Sequence, residues 1–193
     1  LYMLYTGGTT GMPKGVLWRQ GDLITSALGG KNSDGSVIDC IDTFTERATG
    51  GRRHRFLTTP PFMHGASHWL AFNAWHGGNT VIVQNNVEKL DPPDVLSVIE
   101  KERATALMLV GDAFGRPILE EIQRGNYDLS CIKIIMNNGA ILNHPVKVAL
   151  LEMLPAAKIV DNMGASETGS QGVKISTLEG ITSKNSADAT NFK

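Results

Sequence analysis

The chain has 193 residues, of which 41% are hydrophobic and 19% charged, a composition typical of folded globular proteins and not of disordered ones. Its 18 basic and 19 acidic side chains leave a formal net charge of −1, so the overall charge gives no reason to expect nucleic acid or an anionic membrane surface as a partner. The two cysteines, Cys40 and Cys131, lack metal-ligand spacing and are expected to stay reduced in a cytoplasmic protein.

Short apolar runs alternate with helical segments along the chain, a pattern typical of βαβ units. The sequence therefore predicts an α/β fold with a mostly parallel sheet and helices on both faces. The predicted elements, in chain order, are strand Leu1–Tyr5, helix Asp22–Leu28, a short helix near Val37–Arg47, strand Arg55–Thr59, helix Gly65–Trp75, strand Thr80–Gln84, helix Pro92–Lys101, strand Thr105–Val110, helix Ala113–Arg124, strand Ile132–Met136, helix His144–Leu154 and strand Lys158–Met163.

The glycine-rich segment Thr6–Gly15 packs four glycines, three threonines and a lysine into ten positions. Glycines let backbone amides approach an anion closely, threonine hydroxyls add donors, and a lysine supplies a positive charge for phosphate oxygens. It is not a Walker A loop, because Pro13 precedes the lysine where that motif needs glycine, and Gly15 follows where it needs Ser or Thr. The segment predicts a triphosphate-binding loop; the alternative is a surface loop that is rich in Gly and Thr.

Three further polar or glycine-rich segments, residues 60–65, 137–140 and 162–169, also follow predicted strands. Ligands collect at the carboxyl ends of strands in parallel sheets, so these segments are candidate parts of one site.

The glycine-rich segment resembles the phosphate-binding signature of the adenylate-forming superfamily, which includes acyl-CoA synthetases, luciferases and peptide-synthetase adenylation domains. The one departure is Gly8, which replaces the serine of that signature. The resemblance implies that this segment holds the β- and γ-phosphates of ATP and that Lys14 takes part in catalysis. The implied nucleotide-binding residues here are Thr6, Gly7, Gly8, Thr9, Thr10, Gly11 and Lys14.

Residues 162–169 resemble the second signature of this family, an aromatic residue followed by Gly, any residue, Ser or Thr, and Glu. The resemblance implies that Glu167 is a catalytic residue and the Mg²⁺ ligand, and that Ser166 lies near the α-phosphate. Met163 stands where an aromatic residue commonly flanks the adenine, which predicts weaker stacking. On their own, these residues could equally form a plain turn. The further nucleotide-binding residues implied here are Asp161, Asn162, Met163 and Gly164.

Residues 137–142 partly resemble a family segment whose backbone lines the adenine, which implies nucleotide contacts for Gly139 and Ala140; the alternative is an ordinary strand-to-helix loop. Residues 60–65 resemble the segment that carries an aromatic residue or histidine beside the carboxylate to be activated. His64 would orient that carboxylate or complement the charge of the acyl phosphate. The alternative is a structural histidine at the start of a helix.

The resemblance spans Leu1 to about Gly172 and implies a two-step reaction. A carboxylic acid reacts with ATP and Mg²⁺ to give an acyl-adenylate and pyrophosphate, and coenzyme A then accepts the acyl group as co-substrate. Residues 69–72 are apolar where amino-acid-activating relatives carry an aspartate, which favours a fatty or steroid-like acid. The expected partner is thus a small-molecule carboxylate, with neither nucleic acid nor stable membrane insertion, and the oligomeric state stays open.

Residues 1–176 are interpreted as a partial AMP-binding domain, and residues 177–193 as a polar, disordered or truncated end. The chain starts inside an apolar run and lacks the family's later motifs, so it is expected to be a fragment that binds ATP weakly and does not turn over. The alternatives are a non-catalytic nucleotide-binding module or relic, and an adenylation domain for another class of acid. The gene sequence beyond Lys193 discriminates an enzyme from a binding module.

Overall fold

The computed structural model of this chain describes residues 1–7, 11–32, 34–50 and 53–183, with the side chains of residues 182 and 183 left out of the description. Its elements are β1 (Tyr2–Thr6), β2 (Lys14–Trp18), α1 (Gln20–Ala27), α2 (Ile41–Gly50), β3 (Arg55–Thr58), α3 (Gly65–His76), β4 (Thr80–Ile82), α4 (Pro92–Glu102), β5 (Ala106–Leu109), α5 (Gly111–Arg124), β6 (Ile134–Asn138), α6 (His144–Met153), β7 (Lys158–Ala165), β8 (Gly169–Ser176) and α7 (Leu178–Ser183).

Six strands form one sheet in the order β4-β3-β5-β6-β7-β8. The first five run parallel, and β8 pairs antiparallel with β7 at the edge. The predicted α/β fold with a mostly parallel sheet is therefore confirmed. Strand β8 was not predicted, and neither was β2, which pairs antiparallel with β1 in a separate hairpin.

The main core lies between this sheet and helices α4, α5 and α6. One row of paired residues crosses five strands and faces these helices, and each of its members is at most 7% exposed. This row is Ile82, Leu57, Leu107, Ile135 and Ile159. Since side chains alternate along a strand, the neighbouring residues point to the opposite face. There, Met108 of β5 pairs with Met136 of β6.

Local sequence explains how α4 begins. Asp91 is its N-cap and accepts a hydrogen bond from the backbone N–H of Asp94 at 3.3 Å, while Pro92 occupies the first turn, where its missing N–H costs nothing.

Helix α3 supports the hairpin that carries the glycine-rich segment. Leu4 of β1 is buried, and a Cβ on Gly65 would lie 2.8 Å from the Leu4 side chain, so α3 begins in direct contact with the hairpin. The Trp69 indole donates to the Tyr2 hydroxyl at 3.2 Å. Burial raises the pKa of Tyr2, although the hydrogen bond from Trp69 acts in the opposite direction.

The end of the described chain contains a helix that the sequence did not predict. Leu178 and Ile181 of α7 pack against the main core, and α7 contacts α6. The domain boundary after residue 176 stays a prediction.

Candidate functional site

A cleft of about 440 Å³ opens at the carboxyl ends of the parallel strands, where a sheet of this kind places its ligands. It is bordered by the hairpin, α3, the strands β3, β5 and β6, the loop after β6, and the β7–β8 turn. Its lining residues are Tyr5, Thr6, Gly7, Ala27, Phe56, His64, Gly65, Ala66, Trp69, Leu70, Asn73, Met108, Met136, Asn137, Asn138, Gly139, Asn162, Gly164, Ala165, Ser166, Gly169 and Ser170.

The structure brings seven of the predicted site residues together in this cleft. They come from the hairpin, the start of α3, the loop after β6 and the end of β7, four places that are far apart in sequence. The seven are Thr6, Gly7, His64, Gly139, Asn162, Gly164 and Ser166. Five others belong to the same sequence segments but do not line the cleft, namely Gly11, Lys14, Ala140, Met163 and Glu167. The predicted phosphate ligands Gly8, Thr9 and Thr10 lie outside the described residues.

Asp161 has a different environment from the other predicted nucleotide ligands. It lies two residues after the core residue Ile159 on β7, so its side chain points to the helical layer and not into the cleft. There it forms a 2.7 Å ion pair with Lys147 of α6 and accepts a 3.0 Å hydrogen bond from the Asn137 amide. The Asn137 amide also donates to the Ala140 carbonyl at 3.0 Å. These contacts indicate that Asp161 stabilises the loop after β6.

The hairpin places Lys14 directly opposite Thr6, whose hydroxyl lies 3.5 Å from the Lys14 carbonyl oxygen. Both side chains are accessible: Lys14 is exposed, and Thr6 lines the cleft. Gly11 has a φ of 119°, in the range that favours glycine, so the segment here cannot readily carry another residue. A free ammonium beside amide and hydroxyl donors suits an anionic phosphate chain.

The β7–β8 turn, residues 166–168, closes the opposite side of the cleft. Glu167 is exposed in this turn, and Ser166 lines the cleft next to it. The Trp18 indole of β2 donates to the Ser166 carbonyl at 2.8 Å, which joins the hairpin to this turn. Strand β2, which begins inside the first predicted signature, is therefore in contact with the second signature across a separation of 148 residues.

A nucleotide with a divalent cation fits these residues. The polar part of the cleft offers the side-chain amides of Asn138 and Asn162 and the hydroxyl of Ser166, which can meet the edges of a base or a ribose. Within the described ranges, no three His, Cys, Asp or Glu side chains converge on one point. Mg²⁺ does not require such a cluster, because it is usually held by one or two carboxylates together with substrate phosphates and water. Glu167 can supply such a carboxylate.

The sheet side of the cleft is apolar. Phe56, Met108 and Met136 project from three neighbouring strands, and Leu70 and Trp69 face them from α3. The three strand residues were not predicted from the sequence, whereas Leu70 and Trp69 lie in the apolar segment 69–72 that was. The alternation of side chains would have identified the three strand residues as a single face, but only with the strand order in hand.

His64 stands where this apolar wall meets the hairpin. It is the exposed N-cap residue of α3, and its side chain makes no capping hydrogen bond. Helix α3 is anchored under it, since the buried Ser67 hydroxyl donates to the Pro60 carbonyl at 2.7 Å. His68, one turn further on, instead contacts the Tyr2 hydroxyl through Nδ1 at 3.2 Å. Of these two histidines, only His64 lines the cleft.

Residues 1–189 match the family of AMP-binding enzymes. The medium-chain acyl-CoA ligase Mig of Mycobacterium avium is 44% identical over 178 residues, which cover 92% of this chain and 32% of that protein. A medium/long-chain-fatty-acid–CoA/3-oxocholest-4-en-26-oate–CoA ligase of Mycobacterium tuberculosis is 34% identical over 91% of this chain and 32% of its own length. The amide bond synthetase McbA of Marinactinospora thermotolerans has a similar structure, with a TM-score of 0.67 and 25% identity over 93% of this chain and 32% of its own. The chain thus spans about a third of the length of each relative.

In the described part of the chain, no helix is both long and apolar enough to cross a membrane.

Proposed function

We propose, since this chain belongs to the family of AMP-binding enzymes, that the protein activates a carboxylic acid with ATP to an acyl-adenylate and then transfers the acyl group to coenzyme A. The observation that carries this proposal is the contact between the hairpin and the β7–β8 turn across one cleft, made by Trp18 and Ser166. The strand β2 that makes this contact begins with the exposed Lys14, the turn that accepts it carries the exposed Glu167, and the cleft beside them has one apolar side.

In the proposed first step, an anionic carboxylate must approach an anionic triphosphate. Lys14 and the backbone amides of the glycine-rich segment reduce that repulsion, and Glu167 would hold Mg²⁺, which would supply further charge neutralisation at the phosphates. His64 lies between the apolar wall and the hairpin, so it orients the carboxylate toward the nucleotide. The reaction requires no nucleophile from the protein.

The proposed substrate is a fatty or steroid-like acid. Phe56, Met108, Met136 and Leu70 form an apolar surface that favours a hydrocarbon chain or ring system over a charged amino group. Methionine is flexible and polarisable, so two of these side chains can adjust to acids of different shape. The names of the two curated relatives, a medium-chain acyl-CoA ligase and a fatty-acid and oxocholestenoate CoA ligase, support the same class.

The test is ATP–pyrophosphate exchange, measured for the complete product of the gene with fatty, steroidal, aryl and amino acids. We expect exchange with fatty or steroidal acids, and a decrease of about 100-fold or more for Lys14→Ala or Glu167→Gln, the magnitude typical when one charge-stabilising group is removed. Lys89→Ala is the matched control, because Lys89 is an exposed lysine between β4 and α4 and belongs neither to the hairpin nor to the β7–β8 turn.

Exchange confined to amino acids would contradict the proposed substrate class. A gene that ends at Lys193, together with nucleotide binding but no exchange, would favour the second candidate, a non-catalytic nucleotide-binding module. Exchange by the isolated 193-residue chain at a rate typical of an enzyme would contradict the expectation that this part is inactive alone.

A further inference from the structure

Trp18 connects the two parts of the site that carry opposite charges. It is the last residue of β2, the strand that begins with Lys14, and its indole N–H donates to the Ser166 carbonyl at 2.8 Å. Ser166 directly precedes Glu167 in the β7–β8 turn. One hydrogen bond therefore runs from the strand of the lysine to the residue beside the carboxylate.

A second contact holds the same turn from the other end. Helix α1 begins at Gln20, two residues after Trp18, and packs against Gly169, where the turn enters β8. A Cβ added to Gly169 would lie 2.8 Å from the Ser26 carbonyl oxygen, so the two backbones touch with no room for a side chain. Inside the turn, the Thr168 N–H donates to the Ala165 carbonyl at 3.2 Å. Glu167 is thus the free side chain of a turn that is fixed at both ends.

The Trp18 ring itself is held in place by α3. It packs edge-on against the Trp69 ring, with the ring centroids 6.2 Å apart, and it is half-buried. Trp69 is in turn tied to the hairpin through its hydrogen bond to the Tyr2 hydroxyl. The indole donor therefore has a defined position and does not act as a loose surface group.

We propose that Trp18 is a positioning residue that sets the place of Glu167 relative to Lys14, so that one metal–triphosphate complex can contact both. The inference depends on the proposed function, because it assigns Trp18 a role in binding ATP together with a divalent cation. The energy of charge neutralisation depends strongly on distance, and a turn free to move would not keep Glu167 where it would hold a cation for the phosphates.

Trp18→Phe tests the role of the donor, since phenylalanine keeps an aromatic ring against Trp69 and removes the indole N–H. ATP binding to the 193-residue chain is measured by calorimetry into the millimolar range, with Mg²⁺ and with the cation removed by a chelator. We expect the affinity for ATP with Mg²⁺ to fall by about threefold to tenfold, the effect of one lost hydrogen bond, and the affinity without Mg²⁺ to stay unchanged.

Trp75→Phe is the matched control, because Trp75 is an exposed tryptophan of α3 whose described ring contact is with Phe72. It should leave both affinities unchanged. Introducing Trp18→Phe into the Glu167→Gln variant distinguishes a positioning role of Trp18 from a general loss of structure. If Trp18 acts through Glu167, then adding Trp18→Phe to that background produces no further loss, so the two effects are not additive.

An equal loss with and without Mg²⁺, or a loss that persists in the Glu167→Gln background, would overturn the inference and make Trp18 a merely structural residue. The proposed function would stand in that case, because the wild-type chain would still bind ATP with the cation. If the wild-type chain binds no ATP under either condition, the nucleotide site itself is wrong, and the role of Trp18 is wrong with it.

Discussion

The ion pair between Lys147 and Asp161 gives the sharpest stability prediction, because both partners are shielded from water. Their side chains are 15% and 8% exposed, and their nearest charged atoms are 2.7 Å apart. Lys147→Met keeps the aliphatic bulk of the lysine in α6 but leaves the Asp161 carboxylate without its counter-ion. That carboxylate retains the hydrogen bond from Asn137 at 3.0 Å.

The expected loss of folding stability follows from removing only one of the two charges of a buried ion pair. Removing one partner of a buried ion pair costs about 3–5 kcal/mol, since the other charge stays behind without compensation. We expect about 3 kcal/mol for Lys147→Met, at the lower end, because one hydrogen bond to Asp161 remains. In the double variant with Asp161→Asn no charge remains and the oxygen that accepts from Asn137 is kept, so its cost should fall to about 1 kcal/mol.

The assay is urea unfolding followed by circular dichroism, with equal slopes required before midpoints are compared. Arg124→Met is the matched control, since Arg124 is paired with Glu120 at 3.6 Å on the surface, with both side chains more than 60% exposed. It should cost less than about 1 kcal/mol. A Lys147→Met variant as stable as this control, or a double variant less stable than Lys147→Met, would refute the reasoning about the buried pair.

Two further predictions concern titration and thiol chemistry. Hydrogen bonds from Ser130 and from the Arg103 guanidinium hold the pKa of Asp128 at about 2. The stability that this carboxylate contributes is therefore present above the ordinary aspartate pKa of about 3.9 and is lost as the pH falls toward 2. A carbon NMR titration of Asp128 measures this pKa. The variant Asp128→Asn should remove the part of the acid-induced loss of stability that comes from this residue. Burial raises the pKa of Cys131, whereas Cys40 is exposed; a thiol reagent should label Cys40 rapidly in the native chain and Cys131 only on unfolding, and rapid labelling of both would contradict this.

Asp161 and Asn162 illustrate how far sequence reasoning reaches into this site. Both stand in a segment that resembles a nucleotide-binding signature, and both are predicted ligands. The structure places Asn162 in the cleft and Asp161 on the opposite face, against α6. The period of two along a strand dictates that neighbouring residues of β7 separate in this way. Which of the two faces the cleft depends on where α6 packs, and no local pattern contains that information.

The hairpin is a second feature that could be predicted only in part from the sequence. Strand β2 begins at Lys14, a residue already assigned to the glycine-rich segment, and it has only five residues. A two-stranded hairpin of this size is marginal by itself, so its stability depends on packing against α3 through Leu4 and the Tyr2–Trp69 hydrogen bond. These contacts join residues more than 60 positions apart. Sequence motifs could therefore identify the chemistry of the loop but not the strand that places it.

Substitutions in the apolar wall and in the charged part of the cleft should have different effects, because different contacts hold these two parts in place. The apolar wall belongs to a sheet whose other face is the main core, so Met108 and Met136 occupy positions fixed by strand pairing. The charged part lies on a hairpin and a turn that meet through single contacts such as Trp18 with Ser166. We expect substitutions in the wall to alter the shape offered to the proposed acid while the strands hold their register, and substitutions at the contact to alter the distance between Lys14 and Glu167. The proposed substrate preference should therefore change through the wall without loss of nucleotide binding, and the proposed cation dependence should change through the contact without loss of the fold.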